Sequence, residues 1–253
     1  MYKIPDKTVF MGKKIISLPL CESTNSSLIN LAQNDRLEEG VILITENQTK
    51  GRGQAGNRWV SEPGANLTFS VLLRPTFVEP TSQFFLNIVV GLGICDAVKE
   101  FINQKVQVKW PNDVLTDGKK ICGILIENQV QGQQLLQTVV GIGINVNQKN
   151  FEWPQASSLS VCAGMDLDRT KVLETILIKI EGRYEQLRSK GYQKLKKDYY
   201  SVLYWKDEPH EFSSGEKIFS GTIQGIDEAG RLLVLVSGKT VNFNFKEINF
   251  LQG

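Results

Sequence analysis

The texture of the chain changes once, after Trp205, and that change limits the folds open to it. Upstream, strand-like apolar runs are mixed with segments of helical periodicity. Downstream, residues 212–251 read as short strands alone, punctuated by Ser213-Ser214-Gly215, by residues 227–230 and by Ser237-Gly238. Turn signals at that spacing are the pattern of a small barrel. We place the boundary at Asp207, with a larger domain over residues 1–206 and a barrel over 207–253. In the larger part strands and helices do not alternate strictly, which argues for an α+β domain rather than a doubly wound one. Strands are predicted at 13–20, 41–45, 67–73 and 106–110, with a hairpin of 121–127 and 135–145 around Gln131-Gly132. Helices are predicted after Ser23 as N-cap and over 83–101, 171–187 and 195–203. Residues 46–58 are polar and glycine-rich and read as a loop.

Composition excludes several classes of function. The 253 residues are 41% hydrophobic and 22% charged, ordinary values for a globular chain of one large and one small domain. No apolar run approaches the roughly 20 residues that span a bilayer. The apolar stretch 15–21 is short and holds Pro19, so it reads as a core strand rather than a signal peptide. A cytoplasmic protein without a membrane partner is expected. A net charge of +2 does not suggest a nucleic-acid partner. Cys21, Cys95, Cys122 and Cys162 form no CxxC pair, so neither a structural metal site nor a disulfide framework is implied, and buried free thiols are expected. His210 is the single histidine, and neither a GxSxG elbow nor an HExxH run is present. The chemistry must rest on Lys, Arg, Asp and backbone groups.

Four segments carry such groups. In the run 48–59, Gly51, Gly53 and Gly56 sit among cations, where backbone N–H groups can approach an anion and Arg52 can add a bidentate bond. The same glycines match GxGxxG, but a turn rather than a helix follows, so a dinucleotide fold is not indicated. An ordinary surface loop is the alternative. In Lys109-Trp110-Pro111-Asn112-Asp113, Pro111 stops a strand, so Lys109 and Asp113 stand either at the mouth of a cleft or as a surface ion pair. Lys120 opens an apolar strand that Gly123 interrupts, as close approach of a ligand or backbone would require, although a solvated strand-end lysine has the same letters. In Gly141-Ile142-Gly143-Ile144-Asn145, one strand face lacks side chains. That leaves either a slot for a flat ligand, with Asn145 reading a base edge, or a bulge.

Together and in this order these segments resemble the biotin–protein ligase family, with KWPND and GRG…GNRW the most diagnostic runs. The resemblance is specific from Ser23 to about Asn147 and looser over residues 212–251. It implies a catalytic domain related to class II aminoacyl-tRNA synthetases, with a mixed sheet and helices, and a C-terminal SH3-like barrel. It implies ATP with Mg²⁺ as cosubstrate, biotin as substrate, biotinyl-5'-AMP as intermediate and a lysine of the biotin carboxyl carrier protein of acetyl-CoA carboxylase as acceptor. Catalytic roles fall by motif on Lys120, Arg52, Asp113 and Lys109. Biotin contacts fall on Ser23, Thr24, Asn25, Gln48, Gly51, Arg52, Gly53, Trp59, Lys120, Gly123, Gly141 and Gly143. Contacts to ATP or the adenylate fall on Arg52, Gln54, Trp59, Lys109, Asn112 and Asn145, with no structural metal site. The bacterial pattern often has arginines where this chain has Gln54 and Asn57, so its loop is less cationic. About 20 residues precede Ser23, too few for the winged helix of the family's repressors. A lipoate–protein ligase of the same fold is the alternative, and either a monomer or a homodimer is compatible.

Overall fold

In the computed structural model, which describes residues 2 and 5–251, helix α2 (Phe84–Val98) shows most directly how sequence sets architecture. It is apolar all round, and twelve of its fifteen residues are buried. Such a helix must be covered on every side. One side faces strands β4 (Val106–Lys109), β5 (Asp113–Thr116) and β6 (Lys119–Gln131). The other faces helices α4 (Arg169–Arg188) and α5 (Tyr192–Val202). Gly93 lies at the α2–α4 crossing, where a Cβ would come 2.7 Å from the Cα of Ile180. The segment Pro80–Val98, with a mean hydropathy of 1.5, is long and apolar enough to cross a bilayer. This corrects the sequence expectation that no run approaches that length. Burial between a sheet and two helices is the physical reason for its composition.

The main sheet has seven strands in the order β1-β2-β3-β7-β6-β5-β4, with β1 (Ile15–Cys21), β2 (Ile42–Gln48), β3 (Leu67–Leu73) and β7 (Gln134–Ile144) completing it. Only β1 and β2 pair in parallel, so the sheet is mixed, as expected. Helix α1 (Thr24–Asn34) packs on the opposite face, over a small cluster of Leu28, Leu43, Leu72 and Val139. A five-residue helix α3 (Leu159–Ala163) precedes α4, whose N-terminus is capped by Asp168 accepting from Thr170 N at 2.8 Å. After α5 come β8 (Pro209–Ser214), β9 (Lys217–Ile226), β10 (Leu232–Val236), β11 (Lys239–Phe243) and β12 (Asn249–Phe250). They form an antiparallel, barrel-like sheet in the order β11-β10-β9-β8-β12. Its first strand begins two residues after Asp207.

Two local expectations differ. Strand β5 was not anticipated, because four residues are too short to show periodicity. The signal was the Asp117-Gly118 dipeptide, whose two positive φ values (45° and 76°) make the tight β5–β6 hairpin. Ser23 occupies the N-cap position with extended backbone but makes no side-chain cap bond. All four cysteines are unpaired. Cys95 and Cys122 are buried as expected, whereas Cys21 and Cys162 are only half-buried.

Candidate active site

The alternation read in the sequence becomes a floor through strand register. Residues two apart on a strand share a face, so Gly141 and Gly143 point the same way. Pairing then aligns Thr68, Gly143, Gly123, Asp113 and Lys109 in one row across β3, β7, β6, β5 and β4. A second row holds Ser70, Gly141 and Leu125. The floor closes a cavity of about 490 Å³. Among the described residues five cations line it (Arg52, Arg58, Lys109, Lys120 and Lys246), against a single side-chain carboxylate, that of Asp113.

The bare glycine face is filled by the protein itself. A Cβ on Gly143 would lie 2.2 Å from Trp59 Cε2, and one on Gly123 would lie 3.0 Å from Trp59 Cζ3. A Cβ on Gly141 would lie 2.3 Å from Asn25 Oδ1. The expected slot therefore seats the indole of Trp59 and the amide of Asn25, which wall the cavity above it. Trp59 Nε1 is buried without an acceptor, an unspent donor beside this floor.

Toward Ser23, Thr24, Asn25 and Gln48 the lining side chains are neutral and hydrogen-bonded, although Asn25 Nδ2 also donates to the Glu127 carboxylate that holds Arg52. Gln48 Oε1 accepts from Thr24 N at 2.8 Å, and Ser70 Oγ lies 2.8 Å from Thr24 Oγ1 and 2.6 Å from Asn25 Oδ1. Ser23 is buried there with its hydroxyl uncommitted to the helix. Elsewhere the lining is ionic. Lys120 Nζ is 2.7 Å from Asp113 Oδ1 and lies over the Trp59 ring at 5.7 Å. Lys109 Nζ lies over the Phe250 ring at 4.8 Å. Burial pushes the Lys109 ammonium below the ordinary lysine range; Asp113 opposes the shift and Lys120 adds to it.

Of the residues expected at the site, Ser23, Thr24, Asn25, Gln48, Arg52, Gly53, Gln54, Trp59, Lys109, Asn112, Asp113, Lys120, Gly123, Gly141 and Gly143 line this cavity. Gly51 and Asn145 do not. Gly51 stands behind the loop, its carbonyl accepting from Trp59 N at 3.1 Å, and a Cβ there would meet the Trp59 carbonyl oxygen at 2.2 Å. Asn145 is buried and donates its amide to Ser157 O at 3.0 Å, so its side chain ties down the loop at Ser157. Sequence reasoning missed Ser70, whose only signal is a polar letter inside the apolar run LTFSVLL. It also missed the barrel's share of the lining: Phe245, Lys246, Ile248, Asn249 and Phe250. No local pattern could show that a second sheet folds back over the first.

The fold and a cavity rich in cations and hydrogen-bonding groups define a ligand-binding enzyme site on one sheet, and the comparisons give its class. A model of the biotin/lipoate A/B protein ligase family matches residues 17–145. The bifunctional ligase/repressor BirA of Bacillus subtilis is 33% identical over 242 residues, covering 90% of this chain and 71% of that protein. The biotin–[acetyl-CoA-carboxylase] ligase of Mycobacterium tuberculosis is 34% identical over 225 residues, covering 87% and 82%. A solved biotin protein ligase from Aquifex aeolicus, in complex with biotin and ATP, superposes with a TM-score of 0.79 at 30% identity, over 95% of this chain and 100% of that one. The chain belongs to the biotin/lipoate A/B protein ligase family and is a ligase.

Proposed function

We propose that this chain joins biotin and ATP into biotinyl-5'-AMP and passes the biotinyl group to a lysine of a biotin carboxyl carrier protein. The observation that carries the reading is a cavity lined both by the neutral hydrogen-bonding cluster of Ser23, Thr24, Asn25 and Gln48 and by cations that include Arg52, Lys109 and Lys120. Biotin has a polar ureido head and a carboxylate tail, and the two sets of groups suit them. The dithiolane head of lipoate has no use for the cluster of Ser23, Thr24, Asn25 and Gln48, which favours biotin.

In the first step a biotin carboxylate oxygen attacks the α-phosphorus and the bond to pyrophosphate breaks. Two anions must meet, and Arg52, Lys109 and Lys120 offset their repulsion as charge develops. Mg²⁺ is usually held by one or two carboxylates with substrate phosphates. Among the described residues no group of three or more acidic, histidine or cysteine side chains that could hold a metal ion comes together. A phosphate-borne ion with Asp113 as one ligand fits that donor set, and it would neutralise charge on the phosphate oxygens. In the second step the carrier lysine attacks the acyl carbon and AMP leaves. An ordinary lysine has a pKa of roughly 10.4, so only about 0.1% is neutral at pH 7.4. Asp113 is our candidate to orient or deprotonate it; its bond to Lys120 supports an orienting role at least as well. Biotin-dependent exchange of pyrophosphate into ATP tests the reading. Exchange with biotin and none with lipoate is expected, and exchange with lipoate alone would overturn it.

A further inference from the structure

Arg52 sits on a loop between Gly51 and Gly53, where its backbone makes an isolated antiparallel bridge with Arg58 and Gly53 N donates to Asn57 O at 2.7 Å, bonds that leave the side chain itself unplaced. Its side chain is nonetheless held. Glu127, on central strand β6 and paired across from Val139 of β7, accepts from Arg52 Nη2 at 2.6 Å. The same oxygen, Glu127 Oε2, accepts from Asn25 Nδ2 at 2.7 Å. Asn25 in turn packs over Gly141 and bonds Ser70. One carboxylate oxygen thus joins the glycine loop, the start of α1 and the middle of the sheet. Glu127 does not line the cavity, whereas Asn25 and Arg52 both do.

We propose that Glu127 is a positioning residue for the adenylation step: it fixes Arg52, and through Asn25 ties that arginine to the neutral cluster of the cavity. The inference rests on the reading of the cavity given above. A guanidinium has five N–H donors in a rigid fork, so a bond to Nη2 orients the group and leaves other donors for a phosphate or carboxylate. The oxygen must receive two donors, one of them charged. A glutamine oxygen could occupy the same place but would lack the carboxylate's charge, so an ion pair would become a bond with one charged partner. The pair is partly exposed, with side chains 44% and 31% accessible, so it contributes little to folding stability. Its effect is on orientation.

The test is a thermodynamic cycle of Glu127→Gln and Arg52→Ala, read by single-turnover formation of the biotin adenylate. Glu127→Gln should slow the step about tenfold in the wild-type background, because the bond that orients Arg52 loses the charge of its acceptor. In the Arg52→Ala background it should slow the step less than about twofold, because the group it positions is gone. The same loss in both backgrounds, or none in either, would overturn the proposal. A second readout needs no activity: hydrogen exchange of residues 50–58 in the ligand-free protein. Glu127→Gln should raise exchange there toward the level of Arg52→Ala at an unchanged melting temperature, and unchanged exchange would overturn the tether. A wild-type enzyme inactive with biotin would reject the functional reading, and the exchange measurement would still decide the tether.

Discussion

At the residue scale, charge placement governs the chemistry. Lys120 is half-exposed, faces the cavity and is bonded to Asp113, so removing it should leave the fold and abolish most adenylation. Loss of one transition-state contact costs roughly 2.7–4 kcal/mol, or 10²–10³ in rate. A folded Lys120→Ala protein with near-wild-type pyrophosphate exchange would remove Lys120 from catalysis. Lys109 gives a pH signature. Burial lowers its folded-state pKa, so the folded chain releases this proton before the unfolded chain does. Stability therefore rises with pH between the lowered folded value and the ordinary lysine value, while the charge that attracts anions is lost. The alkaline limb of adenylation should begin below the usual lysine range. Lys109→Arg, whose guanidinium keeps its proton, should move that limb upward; identical pH profiles for the two proteins would show that Lys109 does not set it. Arg58 also bears on the less cationic loop noted at Gln54 and Asn57. It lines the cavity, whereas Lys50 is exposed and bonded to Glu22 at 2.7 Å, so Arg58 supplies a charge that Lys50 does not.

At the element scale, glycine positions and hairpin register build the floor. Gly143 has no positive φ, so alanine suits its backbone. The added methyl would lie 2.2 Å from the Trp59 ring, so the indole and the loop behind it must lift. Gly143→Ala should therefore fold normally and lose biotin affinity by about tenfold or more, the cost of roughly 1.4 kcal/mol of lost contact. Calorimetric titration with biotin alongside thermal melting separates the two effects, and unchanged affinity would mean that Trp59 does not wall the site. The glycine alternation was legible because period two is a local property of a strand. What fills the slot was not, because Trp59 and Asn25 arrive from segments more than 80 residues away in sequence.

At the scale of the whole molecule, the barrel-like sheet is part of the site. Phe245, Lys246, Ile248, Asn249 and Phe250 line the cavity, and Phe250 carries Lys109 on its ring. Docking is close: Trp110 Nε1 donates to Gly230 O at 2.9 Å, and a Cβ on Gly230 would lie 2.2 Å from Phe84 Cγ. The buried core runs without a break from the first sheet into the second. Trp110→Phe keeps a ring in place against Phe245 but leaves the Gly230 carbonyl unpaired. We expect a loss of about 2 kcal/mol, or roughly 4–8 °C in melting temperature, from that bond alone. An unchanged melting temperature would show that the bond does not hold the two sheets together.

The sequence by itself determined the longer elements, the α+β class and fifteen of the cavity-lining residues, because periodicity, turn chemistry and short motifs are written within a few neighbouring positions. It also placed Lys109, Asp113 and Lys120 within twelve residues, close enough for two successive hairpins to gather them. Only the tertiary structure decided where those groups face. Strand register put Thr68, Gly143, Gly123, Asp113 and Lys109 in a single row. Packing turned Asn145 inward to Ser157, joined Glu127 to Arg52, and brought the second sheet over the cavity. Each of these is a contact between residues whose separation along the chain carries no local signal, fixed only when burial of the two sheets and their helices selects one arrangement.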